Sequence, residues 1–258
     1  MTTPAACTPN ARMENEAQRG TLILIATPIG NLEDLTHRAE RVLREVDALA
    51  CEDTRRTRIL LHHYDIPKPR TLLSYHEHNE KIAGNRILRL LDDGLSVGLV
   101  SDGGYPGISD PGYRIVNAVI DAGHSIEVLP GPSAPPMALL MSGLPPSSYT
   151  FMGFPPRKSG ARQRFLEAES VKPHSLILFE SPHRIEALLR DALAVLGDRK
   201  AAVCFEMTKK FQRIHRGVLS ALIEEIEGAP KKGEVTVVIA GMNRKLRKKS
   251  LKPTPPKV

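Results

Sequence analysis

Three short stretches of this sequence carry the residue types that do chemistry. Glu52-Asp53-Thr54-Arg55 sets two carboxylates beside a run of guanidinium groups, Arg55, Arg56 and Arg58. A carboxylate can take a proton from a reacting hydroxyl, and a guanidinium can grip a phosphate. The same pattern also suits a helix N-terminus, with acids placed for the dipole and arginines on the solvent face. His76-Glu77-His78-Asn79-Glu80 offers imidazole and carboxylate together, either as a base or as a solvated helix start. His-x-His invites a metal, but no third ligand lies nearby in the sequence, so no metal is expected. Asp53, His76 and Glu77 are the candidate proton acceptors. The third stretch, residues 101–112, reads SDGGYPGISDPG. Asp102 can accept hydrogen bonds from a hydroxyl or amino group. Gly lets a backbone approach a ligand closely, and Pro fixes the loop shape.

These groups need a sheet to bring them to one edge. Short apolar runs at 22–26, 48–51, 71–75, 95–100 and 126–129 read as strands. Between them, helical patterns start after Thr36 and cover 55–63, 79–91 and 112–122, and a further helix follows Pro130-Gly131-Pro132 and ends near Gly143. Strands alternating with helices imply a parallel, doubly wound α/β sheet. Its ligand edge lies beyond the carboxyl ends of the strands, at the switch point of strand order. Three bare loops fall at such ends: 27–31, 101–112 and 130–134. Leu144-Pro145-Pro146 breaks the pattern, so a first domain is expected over 21–145 and a second α/β domain over 146–243. The second has strands near 149–153, 175–180, 201–206, 213–218 and 235–240, and helices at 158–168, 183–196 and 219–226. The run 212–219, followed soon by 235–240, permits an antiparallel pair, so this sheet is expected to be mixed.

Composition narrows the class. The chain has 258 residues, 41% of them hydrophobic, with no Trp and only 4% aromatic, so its cores must be aliphatic. No apolar run approaches the roughly 18–20 residues that span a bilayer. Residues 1–20 are polar and read as a loose leader, not a signal peptide. Cys7, Cys51 and Cys204 are odd in number and scattered, which favours reduced thiols in a cytosolic protein over disulfides or a zinc site. The seven Lys and Arg of residues 244–258 equal the formal net charge of +7, so the rest of the chain is formally neutral. That tail is either a solvated end or a polyanion-binding arm. Neither G-x-G-x-x-G nor G-x-x-x-x-G-K-[ST] occurs, which disfavours nicotinamide chemistry and phosphate cradling. A ligand with an amino-acid end, a ribose and a base but no phosphate fits better, and S-adenosyl-L-methionine is such a ligand.

The stretches ATPIGNLEDLTHRA, ALACEDTRRTRILL, SYHEHNE, SDGGYPGISDPGYR, PGPSA, GFPPRKSGAR and FESPHR occur in this order. Together they resemble the bacterial ribosomal RNA small subunit methyltransferase I family, of the tetrapyrrole-methylase superfamily. The resemblance covers roughly 21–241. It implies two α/β domains with the cofactor in the cleft between them, a cytoplasmic homodimer, and 2′-O-methylation of a cytidine in small-subunit (16S) ribosomal RNA, free or assembled. It also implies cofactor contacts from Pro28, from Ser101, Asp102 and Gly103 with Ile108 beside them, from Ser133 and Ala134 at the methionine end, and from Glu180, Ser181 and Met207 over the nucleoside. Gly104–Gly107 and Pro135-Pro136 depart from the family's usual pattern.

For the RNA, the basic candidates are Arg55, Arg56 and Arg58 in the first domain. In the second they are Arg157, Lys158, Arg162, His183 and Arg184, with Arg164 nearby. Each can also be an ordinary surface charge. Tyr75, Tyr105 and Tyr113 are candidates for base stacking. Two other readings compete: methylation of a tetrapyrrole carbon, and a non-catalytic RNA-binding assembly factor. The first has no evident use for EDTRRTR, YHEHNE or the basic tail; the second has none for three bare loops.

Overall fold

A computed structural model describes residues 20–227 and 232–242. The leader, save Gly20, and the basic tail lie outside the described residues. Two compact units divide the chain. The first ends at Thr27 and resumes from Leu35 to Gly131; the second comprises Pro28–Asp34 and the described residues from Pro132 onward. This division falls one helix ahead of the boundary expected at Leu144-Pro145-Pro146.

The first unit is built on five strands: β1 (Thr21–Ile25), β2 (Ala48–Cys51), β3 (Thr71–Ser74), β4 (Ser96–Val100) and β5 (Ser125–Leu129). All pair in parallel, in the order β3-β2-β4-β1-β5. β2 is buried at every position, as its unbroken aliphatic run requires. Helices α1 (His37–Glu45), α2 (Thr54–His63), α3 (Glu80–Asp92) and α4 (Tyr113–Asp121) connect the strands. Thr36 caps α1 by accepting the Ala39 N–H. Leu24, Leu99, Ile87, Leu91, Ile115 and Val119 belong to one core cluster that joins the sheet to α3 and α4.

Strand order fixes the ligand edge. β1 leads one way across the sheet to β2, while β4, its neighbour, leads the other way to β5. Right-handed crossovers put those two connections on opposite faces, so a crevice opens between the carboxyl ends of β1 and β4. The loops there are the bare ones, 26–27 onward and 101–112.

In the second unit, helix α5 (Ala134–Ser142) precedes β6 (Tyr149–Phe151), α6 (Ser159–Glu167), β7 (Ser175–Glu180), α7 (Ile185–Leu196), β8 (Lys200–Phe205), β9 (Arg213–Val218), α8 (Leu219–Glu227) and β10 (Val235–Ile239). The sheet order is β6-β7-β10-β8-β9, parallel only at β6–β7. The sheet is mixed, as expected, but the antiparallel partners differ. β9 pairs with β8, its neighbour across a short loop, and β10 inserts between β7 and β8. The reason lies in β10 itself: all five residues, VTVVI, are buried, which only a central position provides. α5 packs with Ile177, Cys204 and Val238 on one face, and α6, α7 and α8 cover the other. Among the described residues, no helix is long and apolar enough to cross a membrane.

Candidate functional site

The carboxyl edge of the first unit is a set of loops pinned to one another. Thr27 and Gly104 exchange two backbone hydrogen bonds of 2.9 Å, tying the β1 loop to the β4 loop. The Thr27 hydroxyl donates to the Ser101 carbonyl at 3.0 Å, and the Ser101 hydroxyl turns inward toward the Gly104 carbonyl at 3.4 Å. The Gly131 N–H donates to the Tyr105 hydroxyl at 2.8 Å, which brings in the β5 loop. Gly107 and Gly112 have φ of 86° and 151°, and a Cβ on Gly112 would sit 2.8 Å from the Gly107 nitrogen. Their bareness therefore serves loop-to-loop packing as well as any ligand. Ile108 stands 49% exposed at the loop's tip.

Polar groups gather at the adjoining ends of β2, β3 and β4. The Asp53 N–H donates to Asp102 Oδ1 at 3.2 Å. Arg56 Nε lies 3.4 Å from Asp102 Oδ2. This clasp ties the turn after β2 to the turn after β4, where Glu52 and Asp102 are both half-buried. Burial pushes the Asp102 carboxyl above its ordinary range, with Arg56 opposing. Burial also raises Glu52, and the Asp102 charge adds to it; the Asp102 N–H, Arg56 and His76 oppose. His76 is anchored through its own N–H, which donates to Asn79 Oδ1 at 2.8 Å, and its Nδ1 is enclosed with no hydrogen-bond partner among the described residues.

Several expected roles change here. Asp53 is the N-cap of α2: it accepts the Arg55 N–H at 2.8 Å and grips the Arg55 guanidinium at 2.7 Å. The Arg55 hydrogen bonds hold it down at about 2, so it is a poor proton acceptor near neutral pH. Glu52, its neighbour, carries the perturbed carboxylate instead. Glu77 is exposed. Tyr75 is 1% exposed with its hydroxyl donating to Glu80 Oε1, so it belongs to the core and does not stack on bases. Tyr105 spends its hydroxyl on Gly131, and Tyr113 is exposed. All three arginines on α2 are exposed, and Arg55 and Arg56 also face carboxylates.

In the second unit, Pro135 and Pro136 occupy the second and third positions of α5. Prolines there cost little, because those N–H groups would be unsatisfied anyway. They also remove the donors an N-cap side chain normally bonds, so Ser133 makes no capping hydrogen bond and its hydroxyl is released. Ala134 packs on the α5 core. Pro28 is buried. Glu180 ends β7 with a buried side chain whose Oε1 accepts the Ser181 N–H at 2.7 Å and pairs with Arg184. Glu180 Oε2 is enclosed and has no partner among the described residues. Met207 is 7% exposed within the α5 core, in a segment where Glu206 and Thr208 adopt left-handed φ of 49° and 66°.

The basic residues of this unit separate into two kinds. Arg162 is 3% exposed; its Nε donates to Asp191 Oδ2 at 2.7 Å and its Nη1 to the Arg157 carbonyl at 3.1 Å. It is a structural residue, not an RNA contact, because Asp191, on the facing helix α7, needs its charge. Burial raises Asp191, but hydrogen bonds from Gln163, Ser159 and Arg162 outweigh that and hold it below its ordinary range. Arg184 is likewise engaged, by Glu180. Arg157, Lys158, Arg164 and His183 are exposed. Among the described residues, no group of three His, Cys, Asp or Glu is gathered to hold a metal, and Cys51 and Cys204 are buried free thiols.

Comparison with known proteins places this arrangement. The tetrapyrrole (corrin/porphyrin) methylase family model matches residues 21–223. The ribosomal RNA small subunit methyltransferase I of Halalkalibacterium halodurans is 44% identical over 228 residues, 88% of this chain and 78% of that one. The protein of the same name from Thermotoga maritima is 46% identical over 86% of this chain and 99% of its own. Two solved structures share the fold at low identity. Uroporphyrin-III-C-methyltransferase from Thermus thermophilus superposes with a TM-score of 0.61 at 21% identity, over 85% of this chain and 94% of that one. Diphthine synthase superposes with a TM-score of 0.66 at 15% identity, over 90% and 94%. The chain belongs to the ribosomal RNA small subunit methyltransferase I family of the tetrapyrrole methylases.

Proposed function

We propose that this chain transfers a methyl group from S-adenosyl-L-methionine to the ribose 2′-hydroxyl of a cytidine in small-subunit ribosomal RNA. The observation that carries the reading is the identity of 44–46% to relatives of that name over nearly nine-tenths of the chain. Each unit, taken by itself, carries groups that suit the cofactor. The bare loops at the β1–β4 crevice present backbone, the Ser133 hydroxyl is released from capping, and Glu180 Oε2 is an enclosed acceptor without a donor. Pro28, Ser101, Asp102, Gly103 and Ile108 would hold one part of it, Ser133 and Ala134 the methionine end, and Glu180, Ser181 and Met207 the nucleoside.

When bound, the cofactor supplies an electrophilic methyl group on a sulfonium. The protein's largest task is alignment of the acceptor oxygen, worth up to about 7–11 kcal/mol of barrier. A ribose hydroxyl attacks well only as its proton leaves. Glu52, with His76 beside it, takes that proton in this reading, in place of Asp53. A positioned base of this kind adds roughly 10²–10⁴-fold. The Asp102 clasp positions Glu52, and Arg58 and the exposed basic residues of the second unit meet phosphate. The protein works as a homodimer in the bacterial cytoplasm. Ile82, 80% exposed, borders a groove of about 520 Å³ along the edge strand β3 that a second copy would cover.

Incubating the protein with methyl-labelled S-adenosylmethionine and small-subunit ribosomal RNA tests the reading. Label on the 2′-oxygen of one cytidine supports it. Label on no RNA, free or assembled into subunits, overturns it.

A further inference from the structure

The second unit carries an aromatic surface that the proposed reaction has not used. Phe151 and Phe179 meet edge to face at the β6–β7 pair, with ring centroids 4.8 Å apart. Phe154 continues the series, its centroid 5.5 Å from that of Phe179. The backbone arranges this. The Phe179 N–H donates to the Gly153 carbonyl at 2.9 Å, so the chain still follows β7 at that point. Gly153 then takes φ of 63°, a left-handed turn that glycine adopts without strain, and Pro155-Pro156 stiffen the chain beyond Phe154. Phe154 emerges 57% exposed, its ring braced against that of Phe179.

A single exposed ring needs no explanation by itself, but its surroundings can point to something that would cover it. The surroundings say what. Residues 154–166, FPPRKSGARQRFL, contain no acid, and Arg157, Lys158 and Arg164 are exposed in it. His183, exposed, lies just beyond the end of β7, the strand that carries Phe179. The nearby Glu180 is buried and neutralised by Arg184. A braced ring amid exposed cations matches a single-stranded nucleic acid, whose bases stack on aromatic faces while cations track its phosphates.

We propose that Phe154 is a stacking platform for one unpaired base of the RNA substrate, with Arg157, Lys158 and His183 on the adjoining phosphates. The inference rests on the RNA-methyltransferase reading and adds the contact that holds the strand. It selects single-stranded over duplex RNA, since only an unpaired base can lie on the ring.

The test uses the full chain and a single-stranded RNA of about 12 nucleotides, within the range such sites take, carrying 2-aminopurine. Wild type should bind it and quench the fluorophore. Phe154→Ala should bind about tenfold or more weakly and lose the quenching. Phe154→Leu, which keeps apolar bulk without a ring, should behave like the alanine variant, and Phe154→Tyr like wild type. Affinity for S-adenosylmethionine, read by calorimetry, should be equal in all four. Unchanged RNA affinity and quenching in Phe154→Ala overturns the inference. If the leucine variant matches wild type, the residue only packs, and stacking is overturned. If Phe154→Ala fails while wild type methylates RNA, the platform stands with the function. If wild type binds cofactor but no RNA, the functional reading falls and the platform with it.

Discussion

Glu52 and Asp53 are adjacent carboxylates with opposite fates. Asp53 caps α2 and is locked to Arg55, while Glu52 sits in the clasp with Asp102. Sequence alone marks both as acids after a strand; which one caps the helix depends on where β2 ends, one residue either way. Burial keeps the proton on Glu52 beyond the ordinary carboxylate range, so the stabilisation from its neutral form is present at low pH and lost as pH rises through the raised value. Glu52→Gln keeps the neutral form at every pH. Thermal unfolding should therefore show its stability relative to wild type rising as pH climbs above the ordinary carboxylate range. Single-turnover methyl transfer should meanwhile slow by roughly 10²-fold or more. A parallel pair of stability curves would mean that burial does not raise the Glu52 carboxyl, and a normal rate would place the base elsewhere.

At the scale of elements, periodicity located the strands and α-helices among the described residues, though not the 3-10 turn Leu32–Asp34, because the apolar runs are short, aliphatic and punctuated by Gly and Pro. What periodicity could not supply was pairing. β10 inserts between strands far from it in sequence because it is apolar on both faces, a fact visible in VTVVI but easily overruled by the nearness of β9. Helix packing hid the role of Arg162 in the same way. Arg157, Arg162 and Arg164 read alike, yet only Arg162 faces Asp191, 29 residues away on α7. Their side chains are 4% and 10% exposed, so removing one partner strands a buried charge. Arg162→Ala should cost about 3–5 kcal/mol in chemical unfolding, while Arg157→Ala should leave stability unchanged and weaken RNA binding. Equal stability in the two variants would return Arg162 to the surface.

Across the whole molecule, the family's motifs made the fold class legible, and the bare loops at strand ends were legible as Gly-Pro patterns. Phe154 was not legible, since its exposure depends on the turn at Gly153 and the brace of Phe179. The net positive charge, equal to that of residues 244–258, belongs to this scale too. If that segment makes about three phosphate contacts, deleting it should flatten the slope of log affinity against log salt by about two units, at near 0.7 per contact on single strands. The choice of nucleotide should survive, because phosphate contacts do not read sequence. An unchanged slope would shift RNA binding wholly onto the exposed cations of the folded units. The most direct test of the central claim is a map of 2′-O-methyl groups in small-subunit ribosomal RNA from cells with and without the gene. One cytidine should lose its ribose methyl without the gene and regain it on complementation, but not with Glu52→Gln. An identical map in both strains would contradict the account.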